Sequence, residues 1–125
     1  MRAPTHNQPR NYQSNVLARA AVAVTPTVTV LGGPISCVLG SAMRVEVIND
    51  DISQTLDVSF DKSEAATGPW GASDYGGLLG IQPGETRCVV VDVRWLKYVR
   101  LLGVASGAGL SARVSITNFA GDLSW

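Results

Sequence analysis

Nucleophilic and metal-dependent catalysis need side chains that few positions of this 125-residue chain supply. Its single histidine is His6, inside a polar, proline-broken N-terminal stretch. Ser-His-Asp and Cys-His systems need an imidazole held on a rigid scaffold, so His6 reads as a solvated side chain rather than a base. Cys37 and Cys88 form neither a CxxC pair nor the four-ligand set of a structural zinc site. Both stand among apolar neighbours and are expected as buried free thiols. A disulfide between them stays open, although a core of this size does not require one.

The acidic residues and glycines fare no better as catalytic or cofactor sites. Asp50, Asp51, Asp57 and Asp61 are near enough in sequence to be weighed as calcium ligands, because Ca²⁺ takes six to eight oxygens. They lack the D-x-D-x-D-G spacing, and Asp57 falls on the polar side of an alternating segment. Turn-forming and solvated acids are the expected reading. Residues 107–112, GAGLSA, match a loose G-x-G-x-x-A. A dinucleotide site would need a helix after it, to offer its N-terminus to the pyrophosphate. Strand-like sequence follows instead, so these glycines are expected in a hairpin loop where positive φ is needed. No catalytic residue, metal or cofactor is expected.

The residues best placed to bind something are aromatic. Trp70 and Tyr75 lie in residues 61–77, DKSEAATGPWGASDYGG, a stretch with no apolar period. Loops this long are uncommon in compact domains and often functional. Two large aromatics here fit a protein interface, a sugar-stacking platform, or a cap folded back on the core. A short helix over 63–66 would shorten the loop. The N-terminal stretch 1–15 adds Arg2, Arg10 and Tyr12 as interface candidates. It is too polar to order by itself and is expected as a flexible arm that orders on a partner, followed by one domain over residues 16–125.

The elements that must hold these residues are strands. Residues 42–49, AMRVEVIN, alternate Met43, Val45 and Val47 inward with Arg44 and Glu46 outward. Leu56, Val58 and Phe60 continue the pattern, and so do Leu110, Ala112, Val114 and Ile116. Pro26 divides an early apolar run, Gly32-Gly33-Pro34 reads as a turn, and the β-branched run 85–94 reads as a central strand. Seven or eight short strands with turn chemistry between them, and no amphipathic helix, predict an all-β fold. It is an antiparallel β-sandwich, with the jelly roll as a candidate form and an extended N-terminal arm.

Composition directs the search toward assembly. Charged residues are 16% of the chain and apolar residues 46%, with formal net charge zero. Low charge leaves surface that is easily covered by neighbours. The absence of a basic excess argues against a nucleic-acid partner. Residues 1–45 carry four arginines and no acid, whereas residues 46–86 carry eight acids and one lysine. Such polarity can guide one copy onto the next. The apolar run 16–24 is interrupted by Arg19 and preceded by a long polar lead, so neither an export signal nor a membrane partner is expected.

The succession VEVIND, LDVSFD, a long loop, IQPGETRCVVVDV, YVRLLG and ARVSIT, over roughly residues 42–117, resembles small β-sandwich virion proteins of tailed bacteriophages, of the capsid decoration or cement type. The resemblance implies a non-enzymatic structural subunit on the capsid surface of a virion, made in the host cytoplasm. It implies a homo-oligomer, with a trimer favoured, attached to a scaffold such as a capsid protein. It transfers no functional residue. A carbohydrate-binding or adhesive module using Trp70 and Tyr75 is the alternative reading.

Overall fold

The computed structural model describes residues 12–37, 40–73 and 75–120. Nine strands follow one another: β1 (Tyr12–Val24), β2 (Thr29–Ser36), β3 (Gly40–Asn49), β4 (Leu56–Ser63), β5 (Gly71–Ala72), β6 (Leu78–Ile81), β7 (Thr86–Asp92), β8 (Tyr98–Ala105) and β9 (Leu110–Ala120). No helix occurs among the described residues. The alternation in the sequence sorts the strand faces as expected. Met43, Val45 and Val47, then Leu56, Val58 and Phe60, then Leu110, Ala112, Val114 and Ile116 all lie in one buried cluster.

The strands form two antiparallel sheets. One has the order β1-β9-β3-β7. The other runs β2-β8-β4, with β5 and β6 both paired to the far edge of β4. With β5 and β6 counted as two pieces of one interrupted edge strand, this is the double-sheet jelly roll. Successive full-length strands lie in opposite sheets, so the connections cross the sandwich at its ends. Val24 opposite Leu110, Ile48 opposite Thr86 and Leu56 opposite Ala105 mark an upper end. Tyr12 opposite Ala120, Ala42 opposite Asp92 and Ser63 opposite Tyr98 mark a lower end. The turns at 50–55, 82–85 and 106–109 are therefore upper, and the segments 64–73, 75–77 and 93–97 are lower.

Several local expectations change in the fold. The β-branched run at 85–94 is not central: β7 pairs with β3 alone and ends its sheet. Apolar side chains on both faces raise β propensity without saying which edges are paired. Gly32-Gly33-Pro34 is not a turn but part of edge strand β2, where the register against β8 shifts twice. Gly33 sits at φ +114°, and a Cβ there would come within 2.9 Å of the Arg100 Cα, so the bulge needs glycine. Tyr12–Asn15, counted with the arm above, pair with residues 117–120 of β9. Backbone pairing requires no apolar side chain, only an edge of donors and acceptors. The expected helix at 63–66 is replaced by a turn in which the Ser63 hydroxyl accepts from the Ala65 N–H (3.1 Å) and donates to the Ala65 carbonyl (2.6 Å). Both cysteines are free, but while Cys37 is buried, Cys88 is exposed on the outer face of β7.

Candidate functional site

At the lower end the two sheets do not close on one another. A cleft of about 290 Å³ opens between Phe60 of β4 and Val99 of β8 on one side and Val91 of β7 on the other, with Tyr75, Trp95 and Leu96 at its mouth. Period two brings the three strand residues inward. The loops bring the rest. Ser73 donates its backbone N–H to the Phe60 carbonyl (3.1 Å), and its hydroxyl accepts from the Tyr75 N–H (3.2 Å). This ties the interruption between β5 and β6 onto β4. The Tyr75 ring then meets Phe60 edge to face, with centroids 5.0 Å apart and planes at 83°, a favoured aromatic geometry.

Trp95 stands on the tight turn after β7, closed by the Leu96 N–H on the Val93 carbonyl (3.0 Å). Its neighbours in the alternation, Val91 and Val93, occupy the inward positions, and Trp95 is left 88% exposed. Its other side borders a second hollow of about 280 Å³, rimmed by Lys62, Pro69 and Lys97. Lys97 pairs with Glu64 at 3.4 Å.

The carboxylate in the cleft is already committed. Asp92 accepts from the Arg94 backbone N–H (3.0 Å) and from its guanidinium (3.0 and 2.6 Å). Those hydrogen bonds hold the Asp92 carboxyl down at about 2, against an ordinary 3.8. Elsewhere the shifted carboxyls are lowered as well: Asp50 by Arg113, Asp51 by the backbone N–H groups of Ser53 and Gln54, Glu85 by Arg87. Each favours permanent charge, the opposite of a proton donor tuned toward neutrality. Among the described residues no three of His, Cys, Asp and Glu gather as a metal set. The four acids weighed for calcium serve four different places: Asp50 binds Arg113 (2.7 Å), Asp51 closes its own turn, Asp57 accepts from the Gly80 N–H (2.7 Å), and Asp61 binds Arg100 (3.0 Å).

Of the residues singled out in the sequence, Tyr75 is brought to the cleft. Trp70 is not: it lies half-buried on the outer face of the β2-β8-β4 sheet, where the Arg100 guanidinium sits 4.6 Å from its ring centroid. Tyr12 opens β1 at the lower end. Arg2 and Arg10 lie outside the described residues. Sequence reasoning passes over Trp95 and Leu96, which read as no more than a break between strands. The signal is present all the same: in VDVRWLKY the inward positions are filled by Val, so a tryptophan set in the turn among Arg94 and Lys97 has no core position to occupy.

No family model matches the chain, and no curated protein matches it. Among solved structures, a chain from "Bacillus endospore appendages form a novel family of disulfide-linked pili" superposes with a TM-score of 0.55 at 14% identity, covering 98% of each chain. The two chains share a fold. A chain of the infectious bursal disease virus Gx strain gives 0.48 at 14% identity over 95% of this chain and 34% of the viral one. Tobacco streak virus coat protein gives 0.42 at 11% identity over 100% and 93%. Those two scores are too low to add to the argument.

Proposed function

We propose that the chain is a non-enzymatic structural subunit that joins copies of itself into a larger assembly. The observation that carries this is the lower cleft: apolar and aromatic walls, an almost fully exposed tryptophan at the mouth, and a carboxylate already engaged by arginine. Exposed aromatic anchors beside a desolvable pocket are the makings of a protein interface. The full-length likeness in fold to an endospore appendage chain accords with that reading, and so does a surface poor in charge. The finer form is a virion subunit of the decoration type, seated on an assembled capsid. It rests on the resemblance of residues 42–117, VEVIND through ARVSIT, to tailed-phage virion proteins. A sugar platform fits less well, since the carboxylate in the cleft, Asp92, has both oxygens engaged by Arg94. Sedimentation velocity over a wide concentration range tests the coarser reading. Concentration-dependent growth beyond the 13.2 kDa chain is expected, and a single-chain species at every concentration would refute it.

A further inference from the structure

We propose that two copies pair edge to edge through β7, antiparallel about a twofold axis at Val89, so that their β1-β9-β3-β7 sheets become one. This rests on the self-associating reading above and names one of its contacts. The edges of the two sheets are not alike. β1 and β2 each shift register twice against their neighbours, and β2 carries Pro34. The far edge of β4 is taken by two short pieces, β5 and β6. Gly80 of β6 sits at φ +65°, and the Arg87 guanidinium covers the Leu79 (2.9 Å) and Gly80 (3.2 Å) carbonyls. Bulges, prolines and short strands are what keep an edge from recruiting another strand. β7 has none of them: seven residues, without proline or glycine, pair one to one with Ala42–Ile48.

The phase of that ladder decides what β7 offers on its other side. The Asn49 N–H bonds the Glu85 carbonyl (3.0 Å), so the backbone groups of Arg87, Val89 and Val91 face β3. Those of Thr86, Cys88, Val90 and Asp92 face away, and no described strand lies beyond them. Their side chains are exposed as well, with Val90 at 59%.

Three features select a second copy as the strand that meets this edge. About Val89 the whole of β7 overlaps itself, and the outward residues meet as Thr86 with Asp92 and Cys88 with Val90, each combination occurring twice. The charges fit the same register: Arg87 falls opposite Val91 and Asp92 opposite Thr86, so no like charges meet. Arg44 and Glu46, beside Val90 and Cys88 on β3, already bind one another at 3.7 Å. Thirdly, continuing the register brings Trp95, 88% exposed, beside the 82–85 turn of the other copy, so one symmetry operation covers both the open edge and the exposed ring. The contact is isologous and closes at two copies. Because the strands run antiparallel, the pair carries one lower cleft at each end, and growth beyond two copies falls to those clefts.

The axis gives the test. Residues facing each other across a pair that is not hydrogen-bonded have Cα atoms about 4.5 Å apart, within reach of a disulfide. In a Cys88→Ser background of the full chain, Val89→Cys should therefore give a two-chain disulfide on mild oxidation. Thr86→Cys should not, because its two copies would lie about 20 Å apart along the strand. Cys37 is buried and does not compete. Separately, Val90→Pro removes a donor that β3 does not use, and Val90→Lys places a charge on the edge without touching the backbone. Val28→Lys, at an equally exposed position (59%), is the control. Circular dichroism melts identify the folded variants, and Val90→Lys decides if the proline variant unfolds. Sedimentation velocity should show the two-chain species for wild type and control, weakened at least about tenfold in the Val90 variants. Association that the Val90 variants retain would overturn this contact and leave the structural-subunit reading in place. Weakened association without the Val89→Cys disulfide would overturn the twofold register, and with it the proposal. A wild type that stays a single chain at every concentration would overturn both.

Discussion

The two ends of the sandwich are closed by different forces. At the upper end the turns are laced together by directional hydrogen bonds. The Asn49 backbone exchanges bonds with Gly84 (2.8 Å) and Glu85 (3.0 Å), its side chain reaches Ile81, and Thr55 and Ser106 bind one another. At the lower end hydrogen bonds also tie the turns, but apolar contacts complete the closure: Tyr75 on Phe60, Leu96 against the core, and a cleft that they leave unfilled. A hydrogen-bonding group has a fixed number of partners to find, so an end built on such groups can be finished within one chain. Apolar surface has no such stopping point, and what the chain leaves uncovered is available to another surface.

Substitutions should separate the two kinds of closure. The largest effect is expected at the lower end, from Phe60→Ala. It removes a buried ring (3% exposed) that also supports Tyr75, and denaturant titration should show a loss of about 3–5 kcal/mol. Asn49→Ala should follow at about 2–3 kcal/mol, because it strands the Gln54 and Ile81 carbonyls without that donor. Neither loss should change at high salt, since neither rests on net charge. If Asn49→Ala is neutral, the hydrogen-bonded account of the upper end is wrong.

The surface ion pairs come next and should be small at either end. A double-mutant cycle on Asp50 and Arg113, joined at 2.7 Å with side chains 30% and 42% exposed, should yield about 0.2–1 kcal/mol of coupling, diminished by salt.

Acid sharpens the same comparison. Asp92 below, and Asp50 and Asp51 above, have folded pKa values lowered from the ordinary 3.8. Lowered values mean that their stabilisation is fully present above that ordinary value and is lost as pH falls through the folded one. For Asp92 the loss runs from about pH 4 down to about 2. Melts should therefore be flat between about pH 5 and 7 for these groups and decline below about 4, and Asp92→Asn should blunt the decline. A melting temperature that rises on acidification over that window would reverse the sign and refute the assignment.

The smallest perturbation is chemical labelling, which leaves the fold intact. Burial pushes the Cys37 thiol up to about 11, whereas Cys88 faces solvent. A thiol reagent at neutral pH should modify Cys88 in the native chain and both cysteines after denaturation. Rapid native labelling of Cys37 would show the lower end opening.

Much of this architecture is legible before any coordinates. Period-two alternation in β3, β4 and β9 names the inward residues, because a strand's pleat alone decides which side chains share a face. Pro83-Gly84 and Gly107-Gly109 mark real turns, with Gly84 and Gly109 at φ +75° and +82°. Less of the site could be read. Tyr75 is visible as an aromatic in a long loop, but that it caps Phe60, that Trp70 pairs with Arg100 instead, and that Trp95 is left outside all depend on which strands are neighbours.

Sequence by itself determined the class of the fold and the buried face of each regular strand, since both follow from residue type and local geometry. Tertiary structure alone decided that β7 is an edge, that Gly32–Pro34 bulges a strand, and that an aromatic cleft opens at the lower end. Those outcomes hang on partners distant in the chain, such as Asn49 with Ile81 or Asp50 with Arg113. A periodic pattern carries no information about which distant strand will supply the other half of a contact.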